Sequence, residues 1–301
     1  MLSQAIQHYV DMRRACGFKF ECQASFLRSF LSFAEARGDR HVRINTAIEW
    51  AGLADKVPQR AHRLGAVIRF ARYARTDDPR NEIPPPIFGS ETWPRQTRYI
   101  LTQDEVARLL QEARRFSSHP MRVVTYSTLI GLLACTGLRI SEAIRLRYSD
   151  ITTDGLVIRN TKFRKSRLVA LHDSARNALE QYLPQRQAFA PLSDQLFVSL
   201  KGTPLFRENV RVVFRELVKR AGLPRGPGLP RITPHSLRHT FAVRALQTCP
   251  DERDRISRHM VALSTYLGHV NAAATYWYLQ ATPELMLDVA ACCERFVEGA
   301  S

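Results

Sequence analysis

Between residues 76 and 97 the chain cannot sustain a helix or a strand. Asp77-Asp78-Pro79, Pro84-Pro85-Pro86, Gly89 and Pro94 crowd this stretch, and each proline removes a backbone donor and fixes its own φ. The break divides the 301 residues into two parts, each large enough to bury its own core. A first domain is therefore expected over 1–78, a proline-rich linker over 79–97, and a second domain over 98–301. A proline-stiffened linker suits two lobes that close on one partner, and suits any other two-domain protein equally well.

The first part reads as a small all-α domain. Apolar residues recur at helical spacing over 2–15, 23–37 (Phe26, Leu27, Phe30, Leu31, Phe33), 45–54 and 58–75 (Leu64, Val67, Ile68, Ala71). The last of these helices also carries Arg60, Arg63, Arg69, Arg72 and Arg75, more arginine than solubility demands. In the second part, Thr102 followed by Glu105 has the capping-box pattern of a helix start. An apolar helix is expected near 121–135. Residues 155–159 and 167–171 read as short strands joined by a basic turn, 160–166, and the pattern is helical again from 174. The fold class is mainly α (α+β), with a small β-sheet in the second domain. No internal repeat is visible.

Lysine and arginine total 44 against 28 acidic residues, for a net charge of +16 and an isoelectric point near 10.2. Residues 1–95 hold 15 basic and 10 acidic side chains, and residues 96–301 hold 29 and 18, an excess of +5 and +11. Charge spread over both domains, rather than gathered in a tail, implies that both face a polyanion, with DNA or RNA the first candidate. Six cysteines show no C-x-x-C pair and no histidines at ligand spacing, so they are read as reduced thiols of a cytoplasmic protein and no metal site is expected. The first fifteen residues carry Asp11, Arg13 and Arg14 rather than an apolar signal core, and the longest apolar run, around 129–135, is too short to span a bilayer. No membrane partner is expected.

Transfer of a phosphodiester without a metal needs cationic donors for the non-bridging oxygens, a nucleophile, and an acid for the leaving oxygen. Arg139 lies in Thr136-Gly137-Leu138-Arg139, where Thr136-Gly137 breaks one helix and Ser141 is expected to cap the next, holding the guanidinium at a helix N-terminus that attracts anions. Arg238 follows His235 by three residues on a helix that Thr233 caps and Pro234 opens, so both side chains share one face. Two arginines can grip a phosphate and remain charged at any working pH. Histidine exchanges protons near neutrality, which makes His235 and His269 candidates. Tyr276 and Tyr278 would point about 200° apart on a helix capped by Asn271, so only one of them can serve as nucleophile.

The order Thr136-Gly137-Leu138-Arg139-Ile140-Ser141-Glu142, then Thr233-Pro234-His235-Ser236-Leu237-Arg238-His239, Leu267-Gly268-His269 and Tyr276-Trp277-Tyr278 resembles the tyrosine recombinase (phage integrase) family over most of 98–290. The resemblance implies a site-specific recombinase that cleaves and rejoins duplex DNA through a covalent 3′-phosphotyrosine. Arg139, Lys162, His235, Arg238, His269 and the nucleophile Tyr278 would form its catalytic set. Tyr278 is selected because the family's tyrosine lies nine positions after the histidine matched by His269. Lys162, in the strand-joining turn, would protonate the leaving oxygen, with Lys165 as the fallback. Glu142 occupies the family's supporting acidic position, where orienting a neighbour and forming a simple salt bridge are equal readings.

The resemblance further implies a C-shaped clamp on DNA, built from an N-terminal helical core-binding (SAM-like) domain and the C-terminal catalytic domain. Arg207, Arg211, Arg215 and Lys219 form a basic stripe on an amphipathic helix. With Arg63 and Arg69, the three arginines of that stripe are the DNA-contact candidates. A helix beginning at 282–284 would dock on a neighbouring protomer or close over its own domain. The expected partners are double-stranded DNA and further copies, a dimer on each site and a tetrameric synapse, with related recombinases as additional partners. No cofactor or metal is implied, and the location would be the bacterial nucleoid. Residues 262–269 and 274–279 resemble recombinases of transposons and other mobile elements, which implies integration, excision or transposition. The alternatives are a DNA-relaxing enzyme of the type IB topoisomerase kind and a catalytically silent DNA-binding protein of the same fold.

Overall fold

The computed structural model describes residues 2–89, 98–159, 166–248 and 253–268, together with Thr275 and Tyr278. The chain separates into two compact units, Met1–Arg95 and Gln96–Ser301.

The first unit consists of α1 (Leu2–Ala15), α2 (Glu21–Glu35), α3 (Ile44–Gly52) and α4 (Val57–Asp77). Phe30, Leu27, Phe70, Val67 and Leu64 are almost wholly buried, and the Trp50 ring meets Phe30 edge-on. Truncating such an aromatic to alanine would cost about 3–5 kcal/mol. α4 is apolar over most of its circumference because the other three helices pack around it. Residues 79–89, placed in the linker by composition, belong to this unit instead. The Asn81 side-chain oxygen accepts from the Val42 N–H at 3.0 Å and the Glu82 carboxylate from the Ile44 N–H at 2.7 Å, while Ile83 and Phe88 pack on the core. Proline removes backbone donors, but the neighbouring side chains still anchor the segment.

The second unit is built on α6 (Pro120–Thr136), an apolar helix contacted by α5 (Gln103–Ala113), α8 (Asp173–Phe189) and α10 (Pro234–Gln247). The capping box at the start of α5 forms, with the Glu105 N–H donating to the Thr102 hydroxyl at 3.2 Å and the Thr102 N–H to the Glu105 carboxylate at 2.9 Å. A short α7 (Ile140–Ala143) leads to an antiparallel sheet of β1 (Ile151–Thr152), β2 (Gly155–Ile158) and β3 (Arg167–Val169), in that order. β1 was not expected, since two residues carry no periodicity. Arg186, fully buried, donates to the carbonyls of Ala190, Ser193 and Gln195 and so fixes the loop after α8. α9 (Arg207–Arg220) and α11 (Arg253–Leu267) complete the described elements. Among the described residues no helix is long and apolar enough to cross a membrane.

Candidate active site

α6 ends where Gly137 adopts φ 60°, and the turn it makes aims the next residues at the C-terminal end of α11. Ser141 does not cap α7. Arg139 holds the N-cap position, and the Glu142 carboxylate accepts its N–H at 3.0 Å. Only Leu138 separates Gly137 from that position, so the new helix starts too early for Ser141 to precede it. At the start of α10, Pro234 stands at the first helical position and Ser236 Oγ accepts from the Thr233 N–H at 3.1 Å.

The two arginines converge on one segment of backbone. Arg238, 1% exposed, donates from Nη1 to the Gly137 carbonyl at 2.8 Å and from Nη2 to the Leu267 carbonyl at 2.7 Å. Arg139 directs Nη1 at the Leu267 carbonyl, 3.5 Å, and Nη2 at the Gly268 carbonyl, 3.3 Å, with a third of its side chain open to solvent. Burial lowers the Arg238 pKa, and the nearby Arg139 charge lowers it further, to about 10, which leaves it charged at neutral pH.

Glu142 lies beneath Arg139. Its Oε1 accepts from Arg139 Nη1 at 2.8 Å and Arg167 Nη1 at 3.2 Å, and its Oε2 from Arg167 Nη2 at 2.8 Å. Burial alone would raise its pKa, but the bonds and charge of Arg167 and Arg139 override that and hold it at about 2. Arg167 was not singled out from the sequence. A signal was present: on β3 it lies on the same side as buried Val169, opposite exposed Leu168.

Tyr278 is 2% exposed, set among Val243, Leu246, Leu263 and Leu267 of α10 and α11. The His239 ring stands 5.4 Å from its ring and 4.5 Å from that of His235, so three titratable rings form a row. Burial raises the Tyr278 pKa, outweighing the charge and hydrogen bond of Arg238, and the phenol is protonated at neutral pH. His235 keeps solvent access, yet the protein packed about it, followed by the charges of Arg238, Arg98 and Arg139, lowers its pKa to about 4. His239 is a further member of the site that sequence reasoning missed, and the charge of exposed Arg98 lowers the pKa values of His235 and Tyr278 from nearby.

The structure thus brings together Arg139, Glu142, His235, Arg238 and Tyr278. Lys162, its fallback Lys165, His269, Tyr276 and the helix expected from 282 lie outside the described residues. On α9, Arg207, Arg211 and Arg215 are exposed opposite buried Val210, Val213, Phe214 and Leu217, and both Arg207 and Arg211 pair with Glu208. On α4, Arg69 is exposed, whereas half-buried Arg63 places its guanidinium 5.4 Å from the Trp50 ring centroid, so part of its role is packing. Among the described residues no group of histidine, cysteine, aspartate or glutamate is arranged to hold a metal.

Residues 99–284 match the phage integrase family. The y4rB protein of Sinorhizobium fredii, designated an integrase/recombinase, is 37% identical over 97% of this chain and 96% of its own length. Among solved structures, the XerH site-specific recombinase bound to palindromic difH substrate in a post-cleavage complex is 20% identical, with a TM-score of 0.68 over 90% of this chain and 78% of that one. A lambda integrase tetramer bound to a Holliday junction is 18% identical, with a TM-score of 0.64 over 92% of this chain and 76% of that one. At these identities the structural likeness concerns the fold.

Proposed function

The chain belongs to the phage integrase family, tyrosine recombinases that cleave and rejoin DNA, and we propose on that premise how its residues divide the work. Arg139 and Arg238 bind the non-bridging oxygens of the scissile phosphate, with His235 and His269 completing the cage. Tyr278 attacks the phosphorus, Lys162 delivers a proton to the departing 5′-oxygen, and the 3′-phosphotyrosyl bond keeps the energy of the broken linkage. A 5′-hydroxyl of a partner duplex then reverses the step. The observation that carries this reading is the convergence of Arg139, Arg238 and Tyr278 on the C-terminal turn of α11. A phenol that is buried and protonated must leave its seat and lose its proton to react, which suits chemistry that waits for DNA.

Double-stranded DNA is the substrate, met by Arg207, Arg211 and Arg215 of α9 and by Arg63 and Arg69 of α4. The lambda integrase tetramer on a Holliday junction supports a dimer on each site and a tetrameric synapse for this chain as well. Its role is integration, excision or transposition of a mobile element in the bacterial nucleoid, alone or with related recombinases. The domain division proposed with it is a helical DNA-binding unit followed by a catalytic unit. Two duplexes bearing the cleavage site, one labelled, test the reading: exchanged products are expected, whereas relaxation of a supercoiled plasmid without exchange would contradict it.

A further inference from the structure

Arg167 lies against the proposed catalytic residues, yet all three of its guanidinium nitrogens donate to the protein. Nη1 and Nη2 form a fork on Glu142 at 3.2 and 2.8 Å, and Nε donates to the Tyr266 carbonyl at 2.7 Å. Its side chain is 9% exposed against 33% for Arg139. That difference assigns the open guanidinium to Arg139 and a scaffolding part to Arg167.

We propose that Arg167 is a positioning residue: by occupying the fork of Glu142 and clamping the end of α11, it keeps Arg139 turned toward the scissile phosphate. This rests on the recombinase reading above. Arg139 uses only one guanidinium nitrogen on Glu142, because the other face of the carboxylate is taken. A buried carboxylate deprived of Arg167 would satisfy itself by pairing with both nitrogens of Arg139, the strongest geometry left to it. That pairing would draw Arg139 off the phosphate. Clamping of α11 follows from Gly268, whose φ is 67° and where a Cβ would lie 2.7 Å from Arg167 Nη1 and 3.0 Å from Cζ. The pinned guanidinium cannot give way, so the Gly268 backbone is laid directly over Arg167.

Nicked suicide duplexes tiled across the protein's own genetic locus map the cleavage site from the wild-type adduct, and the same duplex is then made with a methylphosphonate at that site. The methylphosphonate carries no non-bridging charge for Arg139 to stabilise. Arg167→Ala is expected to bind the duplex within about threefold of wild type but to form the adduct about 100-fold more slowly, the range of a supporting residue, with a loss of about tenfold or less on the methylphosphonate. Arg167→Lys should be intermediate, because one ammonium cannot serve three acceptors. Glu142→Gln in the Arg167→Ala background should recover about tenfold, by removing the charge that captures Arg139. If Arg167→Ala does not fold, the double variant relieves the unpaired buried carboxylate and carries the same two-substrate comparison. Equal losses on both substrates, an adduct rate within about threefold of wild type, or no recovery in the double variant would overturn the positioning role alone. A wild-type protein that binds these duplexes and gives no adduct would overturn the recombinase reading, and this proposal with it.

Discussion

Arg139 and Arg238 donate to the same backbone oxygen, the Leu267 carbonyl, at 3.5 and 2.7 Å. Two like charges from distant parts of the sequence are thereby registered on the end of α11, where carbonyls without helical partners carry partial negative charge. The shared acceptor stands where cations must gather before a phosphate is present to hold them.

Arg238→Lys separates the catalytic and structural contributions of that buried guanidinium. A lysine ammonium lacks the planar fork that places one donor on the Gly137 carbonyl and another on the Leu267 carbonyl, and one acceptor left unsatisfied costs about 1–3 kcal/mol. Denaturant unfolding should show a loss in that range. Single-turnover cleavage should fall by about 10²–10³. Unchanged stability with a large rate loss would mean that the carbonyl bonds contribute nothing to folding.

Gly137→Ala should destabilise the second unit. The residue adopts φ 60°, and an added Cβ would meet the Phe241 ring at 2.7 Å. The left-handed conformation alone costs about 1–2 kcal/mol, and the clash adds to it. Thermal unfolding checks this, and a melting temperature equal to that of wild type would contradict it.

Much of this was legible because it is local. The helices of the first unit, the Thr102–Glu105 cap and the amphipathic α9 follow from spacing along the chain. Arg167 and His239 were not legible as site members, because what defines them is the residue across from them: Glu142 for one, and the rings of His235 and Tyr278 for the other. The expected Ser141 cap failed because the helix starts two residues earlier than the pattern suggests: Arg139 holds the N-cap position, its N–H donating to the Glu142 carboxylate, and Ser141 already lies inside α7.

The His235 pKa, lowered to about 4 from its ordinary 6.5, fixes the sign of one pH effect. Between pH 6.5 and 4 the unfolded chain takes up a proton at this position that the folded chain does not, so stability falls as the pH drops through that window. Denaturant unfolding at pH 7 and pH 5 should show a smaller decline for His235→Asn than for wild type. Equal declines would contradict the lowered pKa.

The stripe on α9 should appear in the salt dependence of DNA binding. Arg211→Ala or Arg215→Ala is expected to flatten the slope of log K against log salt by about 0.9 where the arginine meets a phosphate. An arginine reading a base edge would instead relax specificity at one position. Arg211 pairs with Glu208 at 2.8 Å, so Glu208→Gln should tighten binding at low salt. A variant pair with unaltered slope and specificity would remove α9 from the interface.

If Tyr278 forms the covalent bond to DNA, that bond can be trapped. Nicked suicide duplexes from the protein's own genetic locus are incubated with wild type, Tyr278→Phe and Tyr276→Phe, and SDS-resistant protein–DNA adducts are resolved. An adduct is expected for wild type and Tyr276→Phe and none for Tyr278→Phe. An adduct that survives in Tyr278→Phe and disappears in Tyr276→Phe would contradict it.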